Sequence, residues 1–449
     1  MKTRSLSFFV IFLKICFTLA LLSVPDGYAN GETIQTFTLD ESIRTALANN
    51  SSIKAKEEKI KETLYAKNQA KADFLPKFST TYGYTRLSEV NKIEPQDYGF
   101  FSIPARDLNS RDNYQWKGTI SQTLFAGFAL VSAYELAKLG IDLSTIDLAL
   151  ERLNLALKVK EAYFNILKAE KVVDVAKKAV ALLESQEDVS QNFYKVGMIP
   201  INDLLKTEVE LANARYNLIT AQNAVKLAHA SFNILLSLPI DNPVEVEDIL
   251  VFSPETPKFE LYLERALKNR PEIKALDINI SQAEQRIRLA KSAYYPAVAL
   301  TYDYIKAGDD PSVSGSEFHD ANSWQVMVGL SWTFWEWGKT RSAAREGESL
   351  KRQLTHTRKT LEDGIRIELK KAILDLEQAE KNIPTAEKAV EQAEENLRVS
   401  QERYKAQVTT STEVLDAQTL LSQARTNYYS ALYSHNLAKA ALLRSVGEY

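Results

Sequence analysis

The chain has 449 residues, and its 55 Lys and Arg stand against 58 Asp and Glu, which leaves a net charge of −3. This balance gives no indication of nucleic-acid binding, which usually requires a basic surface. The only cysteine is Cys16, inside a segment that reads as a leader, so we expect no disulfide in the mature chain.

Residues 1–29 have the pattern of a secretory signal peptide. Lys2 and Arg4 precede a mostly apolar stretch at 6–22, and the small residues at 27–29 offer a cleavage site. A membrane anchor is the alternative, but the uninterrupted apolar run is too short to span a bilayer. No later stretch is long and apolar enough for a transmembrane helix, and an exported chain without one can be periplasmic, secreted or an outer-membrane barrel.

The first half of the mature chain, 30–237, reads as helix, strand, strand, long helix, turn and helix. Asp40 is a candidate N-cap of the first helix, and Pro76 ends it. The long helix is about 100 Å at 1.5 Å per residue. The predicted helices are 40–74, 129–194 and 203–236, and the predicted strands are 78–86 and 114–125.

A proline-rich segment, 238–258, joins this half to a second one, 259–449, and 244–246 has the pattern of a short strand. The second half repeats the first: Ala46-Leu47 returns as Ala266-Leu267, and Tyr194 returns as Tyr404. These offsets of 220 and later 210 residues indicate a duplication. The predicted helices of this half are 260–294, 339–404 and 413–445, and the predicted strands are 298–304 and 324–337.

All four strands alternate with a period of two, which predicts one large apolar face and one smaller, mostly polar face. Four strands cannot close a membrane barrel by themselves, and an open sheet in lipid would expose unpaired backbone groups. If the apolar faces contact lipid, several chains must share one barrel. Helices of about 100 Å cannot fold onto a compact core either, so we expect a hollow helical tube with a shared barrel at one end.

The duplication, Tyr294-Tyr295-Pro296 before a strand and the FWEWG sequence at 334–338 make the chain similar to outer-membrane efflux proteins of the TolC type. The resemblance implies a mainly α fold with a membrane β part: a homotrimer with four strands per chain in a twelve-stranded barrel, and a periplasmic α-barrel. It further implies the outer membrane as location, an exit duct of tripartite efflux or type I secretion as function, and a periplasmic adaptor and an inner-membrane pump as partners, without a cofactor.

The resemblance also assigns residues to surfaces. The helix turns near 197 and 407 would be the periplasmic tips that meet the adaptor, and the strand aromatics would face lipid. The implied tip residues are Gly197, Met198, Pro200, Gln407, Thr409 and Ser411. The implied lipid-facing residues are Tyr82, Tyr84, Trp116, Tyr302, Tyr304, Trp324 and Trp332.

The resemblance makes Asp416 and Glu413 an acidic ring at the periplasmic gate, and Tyr404 with Asp203 a tether of the closed state. Simpler readings stay open. Glu413 and Thr410 fit a capping box, Asp203 suits the first turn of a helix, and Tyr404 suits packing at a helix end. The arginine that the family usually has in this network would fall at Thr409.

Catalysis has little support in the sequence. The four histidines are far apart and form no metal-ligand motif, and there is no phosphate-binding loop. We therefore expect no enzyme activity and no metal. The alternative function is a periplasmic coiled-coil adaptor; the four aromatic strands favour the duct.

Overall fold

The computed structural model describes residues 35–449, so the predicted signal peptide lies outside the described residues. Helices make up most of this part of the chain, and their order repeats once. They are α1 (Leu39–Asn49), α2 (Ser51–Ala72), α3 (Ala129–Lys195), α4 (Ile201–Leu236), α5 (Phe259–Asn269), α6 (Pro271–Lys291), α7 (Lys339–Lys405) and α8 (Ser411–Ser445). None of the described helices is long and apolar enough to cross a membrane.

The four long helices α3, α4, α7 and α8 begin and end within two residues of their predicted bounds. Helices α3 and α7 have 67 residues each, which corresponds to about 100 Å. Helix α3 packs along α4, and α7 along α8, so each half contributes a long hairpin. Helix α3 also contacts α2, α6 and α8 and therefore joins the two halves.

The shorter helices correct two predicted bounds. The helix predicted at 40–74 is divided at Asn50, whose side chain accepts a hydrogen bond from the N–H of Ser52 and so starts α2. The helix predicted at 260–294 is divided in the same way, because Pro271 begins α6 and has no N–H to continue α5.

The N-cap of α1 is Thr38 and not Asp40. The Thr38 hydroxyl accepts from the N–H of Glu41, and the Glu41 carboxylate accepts from the N–H of Thr38 in return, which is a capping box.

The strands include the four that the sequence predicts and six short ones. The four long strands form one antiparallel sheet in the order β10–β9–β7–β2. In the described part of the chain, β2 and β10 each pair on one side only. The strands are β1 (Gln35–Phe37), β2 (Lys77–Arg86), β3 (Lys92–Ile93), β4 (Gln96–Asp97), β5 (Ser102–Ile103), β6 (Arg106–Asp107), β7 (Asp112–Ala126), β8 (Val244–Val246), β9 (Ala297–Gly308) and β10 (Asn322–Ser331).

Strand β10 is shorter than predicted. Its last pair joins Ser331 to Ala297, and the residue before Ala297 is Pro296, which has no N–H to extend the ladder. Trp332 and Phe334 therefore lie beyond the sheet, although they continue the alternation of the sequence.

The short strand predicted at 244–246 is β8, and it has a partner that the sequence did not indicate. It pairs in parallel with β1, and both lie against α3. The buried Tyr163 of α3 donates its hydroxyl to the carbonyl oxygens of Phe37 and Glu247, at 3.1 and 2.9 Å. Tyr163 therefore fixes the segment between the halves to the longest helix of the first half.

The duplication is visible in the backbone as well. Four residues with left-handed φ in the first half have counterparts with left-handed φ exactly where the offset of 210 puts them. The pairs are Gly127 and Trp337, Phe128 and Gly338, Gly197 and Gln407, and Ser237 and Gly447.

Candidate functional site

The turn between α3 and α4 is a Schellman motif, in which a residue with left-handed φ ends the helix. Gly197 has φ +76°; its N–H donates to the carbonyl of Tyr194 at 2.9 Å, and the N–H of Met198 donates to that of Phe193 at 2.8 Å. Glycine suits this position because it has no Cβ to oppose the left-handed region. Pro200 then caps α4.

The turn between α7 and α8 has the same geometry without the glycine. Gln407 has φ +58° and donates to Tyr404 at 2.9 Å, and the N–H of Val408 donates to Arg403 at 3.0 Å. A residue with a Cβ in this region costs roughly 1–2 kcal/mol. The second turn therefore keeps the Schellman geometry, although the left-handed φ of Gln407 lowers the stability of the folded state.

Five of the six predicted tip residues are at least partly accessible. Gly197, Met198, Pro200 and Gln407 are exposed, and Thr409 is half-buried. Ser411 is fully buried at the start of α8, so it is not part of a docking surface in this conformation.

Tyr404 is buried near the end of α7, and its hydroxyl lies 3.1 Å from Oγ of Ser190 on α3. Its ring also packs against Phe193, with 5.6 Å between the ring centroids. Burial raises the pKa of the Tyr404 hydroxyl, which keeps it protonated and able to donate. In the described chain this hydroxyl is hydrogen-bonded to Ser190 and not to Asp203.

Asp203 lies in the first turn of α4, where the helix dipole favours an acid. Its carboxylate is 3.9 Å from Nζ of Lys206, and Lys206 donates to the hydroxyl of Thr412 at 3.4 Å. Lys206 thereby connects the starts of α4 and α8.

The carboxylate of Glu413 binds to side chains of the same hairpin, α7–α8. Its carboxylate accepts from Arg403 at 2.8 Å and from the hydroxyl of Thr409, and Oγ of Ser400 lies at 3.5 Å. The side chain of Thr410 makes no capping bond, so the predicted capping box is wrong. Because its carboxylate already has these partners, Glu413 is less suited than Asp416 to line a channel.

Asp416 is exposed, one turn further along α8. It borders a groove of about 400 Å³ between α4 and α8, together with Lys206 and Glu210 of α4. In the described part of the chain, Asp416 takes part in no ion pair closer than 4 Å, so its charge is available to a solute or to another copy.

The even positions of the sheet form a continuous aromatic face. Tyr82 pairs with Trp116, and Tyr304 pairs with Trp324; the rings of Trp116 and Tyr304 are 6.2 Å apart. Tyr302 stacks near Trp324 at 6.5 Å. Such a face is typical of strands that contact lipid.

Other aromatic side chains extend this face. Tyr84 stacks on Tyr114 at 4.7 Å between centroids. The ring of Trp116 covers Gly118, where an added Cβ would meet it at 3.0 Å. Trp332, just beyond β10, donates its Nε1–H to the carbonyl of Tyr294 at 3.3 Å and is half exposed.

The opposite face of the sheet is polar. Asp303 is buried at its centre and accepts from Thr119 at 2.6 Å, from Gln325 at 2.8 Å and from Lys117 at 2.9 Å. These bonds join β7, β9 and β10, so they fix the register of three strands while leaving the aromatic face outward.

Ser190 and Arg403 are the contacts that sequence reasoning missed. Both lie inside regular helices, where nothing in the local pattern separates a partner from a solvated side chain. The offset of 210 relates Arg403 to Phe193, so the repeat gave no hint of it either. Among residues 35–449, no group of three His, Cys, Asp or Glu side chains is placed to hold a metal ion.

An amphipathic antiparallel sheet that continues into two long helical hairpins defines a component of a membrane-anchored duct. The sequence model of outer membrane efflux proteins matches residues 42–236 and 262–448, which is most of the chain. The chain therefore belongs to the outer membrane efflux protein family.

Relatives and solved structures agree with this assignment. The chain is 21% identical to the toxin and drug export protein A of Aggregatibacter actinomycetemcomitans, over 92% of this chain and 86% of that protein. It is 22% identical to the outer membrane protein TolC of Escherichia coli, over 85% and 76%. The outer membrane channel CmeC of Campylobacter jejuni has the same fold, with a TM-score of 0.75 at 15% identity, over 91% of this chain and 85% of CmeC.

The predicted class of protein, its fold and its location in the outer membrane with a periplasmic extension are thereby confirmed. The adaptor alternative is wrong, because the family is one of efflux channels. That family consists of transport proteins and not of enzymes.

Proposed function

We propose that three copies of this chain form one exit duct, in which the sheets close a twelve-stranded barrel and the hairpins form a tunnel towards the periplasm. A periplasmic adaptor binds the exposed tips, and an inner-membrane pump feeds the duct as part of a tripartite efflux or type I secretion system. The duct itself carries out no chemical reaction.

The main support for this proposal is the two unpaired edges of the four-stranded sheet. The outer sides of β2 and β10 have no partner strand in the described chain, while the aromatic face between them is exposed. Unpaired backbone groups cost several kcal/mol each in lipid. Pairing β10 of one copy with β2 of the next removes both edges, and three copies supply the even number of strands that a closed antiparallel barrel needs.

Helix α4 supports the same assembly. Its inner side packs on α3, but a second apolar stripe faces away from the chain and is more than half exposed at every position. The members of the stripe are three, seven or eight residues apart, which places them on one side of the helix, as in helix-to-helix contacts. It consists of Val209, Tyr216, Ile219, Leu227 and Ile234.

We assign the gate to the tips. Three copies of Asp416 approach one axis and form an acidic ring that attracts cations. The hydrogen bond between Tyr404 and Ser190 holds the second hairpin against α3 and serves as the tether of the closed state. Glu413 orders the turn through Arg403, and Asp203 supports the start of α4.

The test is the mass and the strand pairing of the purified protein in detergent. Light scattering should give three copies per particle. The variant Thr81→Cys with Met327→Cys has one cysteine near the middle of each edge strand and should form disulfide-linked trimers.

The matched control is Gln115→Cys with Met327→Cys, because Gln115 lies on the inner strand β7, outside the Asp303 cluster, and cannot reach a neighbour. A monodisperse monomer in detergent that inserts into bilayers would overturn the proposal.

A further inference from the structure

A cleft opens where β10 ends and α7 begins. The chain leaves the sheet after Ser331 and enters α7 at Lys339, and a cavity of about 260 Å³ lies along this connection. Its walls combine aromatic rings with polar and cationic groups. The lining includes the side chains of Tyr294, Trp332, Phe334, Trp335, Thr340 and Arg341.

The aromatic wall is held in place before any ligand arrives. Trp332 donates to the carbonyl of Tyr294, and its ring lies 6.2 Å from that of Phe334. Trp335 packs edge-on against Trp337 at 5.7 Å. Phe334 is 79% exposed and Trp337 89% exposed. Aromatic side chains are rarely exposed to solvent to this extent, and Trp is enriched where a protein meets the membrane interface.

The polar side of the cleft is cationic. Arg341 lines it and forms no ion pair with any residue among 35–449. The acid of the cleft, Glu336, is already engaged: it accepts from the hydroxyl of Thr340 and lies 3.9 Å from Nζ of Lys339. Lys339 lies outside the lining and offsets the charge of Glu336, so the charge of Arg341 is left uncompensated beside the aromatic wall.

The first half of the chain has the same turn without these groups. The offset of 210 relates Glu336, Lys339 and Arg341 to Ala126, Ala129 and Val131, which are all apolar. The backbone geometry of the turn therefore does not require the charges. These charges are present in the second half alone, and the binding of a ligand by that half explains why they are there.

We propose that this cleft binds the head group of an anionic phosphoglyceride from the membrane leaflet on the side of the helices. Arginine binds a phosphate through paired N–H groups, and the rings cover the glycerol and the upper acyl chains. The volume is below the 300–1,000 Å³ of typical pockets for whole drug-sized ligands, so the acyl chains run along the outer aromatic surface. This assignment rests on the proposed membrane position of the sheet.

Native mass spectrometry of the trimer in detergent, after removal of bound lipid and addition of phosphatidylglycerol or phosphatidylethanolamine, tests the site. The wild type should retain phosphatidylglycerol in preference to phosphatidylethanolamine. Arg341→Gln should bind phosphatidylglycerol about fivefold more weakly, as expected for the loss of one cation near a lipid surface. Trp335→Ala should weaken both lipids, and inorganic phosphate should not compete.

Arg352→Gln is the matched control, because Arg352 is an exposed arginine of the same helix about 16 Å further along its axis. It should retain lipid like the wild type. Equal retention by Arg341→Gln and the wild type would overturn the site, and so would a cross-link showing that a neighbouring copy fills the cleft. The same spectra report the number of chains, so a lost lipid site in an intact trimer is distinguishable from a failed trimer.

Discussion

Two successive residues with left-handed φ turn the chain from β7 into α3, and from the segment after β10 into α7. In the first half they are Gly127 and Phe128, and in the second half they are Trp337 and Gly338. Each half thus has one glycine in the pair, but at different positions. The surroundings explain why the first half keeps Gly127: a Cβ there would lie 2.2 Å from the carbonyl oxygen of Ser292.

We expect Gly127→Ala to destabilise the protein far more than Gly338→Ala. At Gly338 an added Cβ meets nothing within 4 Å, so the change costs only the left-handed conformation, about 1 kcal/mol. At Gly127 the backbone of Ser292 must move as well. Thermal unfolding of the purified variants measures the difference, and equal melting temperatures would contradict the assigned contact.

At the scale of elements, hydrogen bonds and an ion pair attach the segment between the halves to α7 and α8 of the second hairpin. The carbonyl of Val251 accepts from Asn436 at 3.4 Å, and Glu255 receives Lys439 at 2.5 Å and donates its N–H to Glu380 at 2.7 Å. His435 of α8 lies under this segment, against Phe252.

His435 of α8 is 1% exposed, and neither ring nitrogen has a hydrogen-bond partner among the described residues. Phe252 covers its ring at 5.3 Å. Burial lowers the pKa of His435 below its ordinary 6.5, and Lys439 lowers it further, whereas Glu380, the nearby backbone of Ser253 and Glu255 oppose the shift. The folded state therefore prefers the neutral imidazole.

Low pH should therefore destabilise the folded state at the contact between this segment and α8. Because the pKa is lower in the folded than in the unfolded state, the unfolded state binds more protons below pH 6.5. The stabilisation is complete above that pH and is lost as the pH falls towards the folded pKa. We expect the melting temperature to drop as the pH falls below about 6.5, and to drop less in His435→Gln. Parallel pH profiles for the two proteins would contradict this role.

The tips allow the tether to be tested apart from the acidic ring. Tyr404→Phe removes one hydrogen bond between α7 and α3, worth about 1 kcal/mol net, so we expect about a fivefold shift towards the open state. Single-trimer conductance in a planar bilayer measures this shift. Ser190→Ala should have the same effect, because it removes the other half of the bond.

Asp416→Asn is the contrasting variant in the same experiment. It should reduce the preference for cations without raising conductance, since Asp416 is exposed and holds no other helix of its chain. If Tyr404→Phe changes selectivity and leaves conductance at the wild-type value, the roles of tether and ring are assigned wrongly.

The elements that could be predicted are those with a long local signal. Helix α3 shows a continuous helical pattern over its 67 residues and ends at Lys195, two residues before Gly197, so its bounds follow from sequence alone. The burial of Ser411 and the pairing of Tyr404 with Ser190 depend on how α8 and α7 lie against α3, which a local pattern does not contain. The end of β10 depends on Pro296, thirty-five residues earlier in the sequence than Ser331.

At the scale of the whole molecule, the duplication preserves backbone geometry more strictly than chemistry. Left-handed residues recur at a fixed offset, even where glutamine or tryptophan takes the place of glycine. Charged groups recur less regularly: the ion pair of Arg215 with Glu184 returns as Arg425 with Glu394, but Arg341 and Lys339 have apolar counterparts. The halves thus share a scaffold and differ in the surfaces that bind other molecules.

The two sheet edges have a genetic consequence. Each copy closes the proposed barrel on both sides, through β2 with one neighbour and β10 with the other. A single copy whose edge cannot pair would leave the ring open, whatever the state of the other two. In a cell that makes normal and edge-defective chains together, most rings would contain at least one defective chain. Mutations in these strands should therefore behave as dominant, whereas mutations that prevent export of the chain should be recessive.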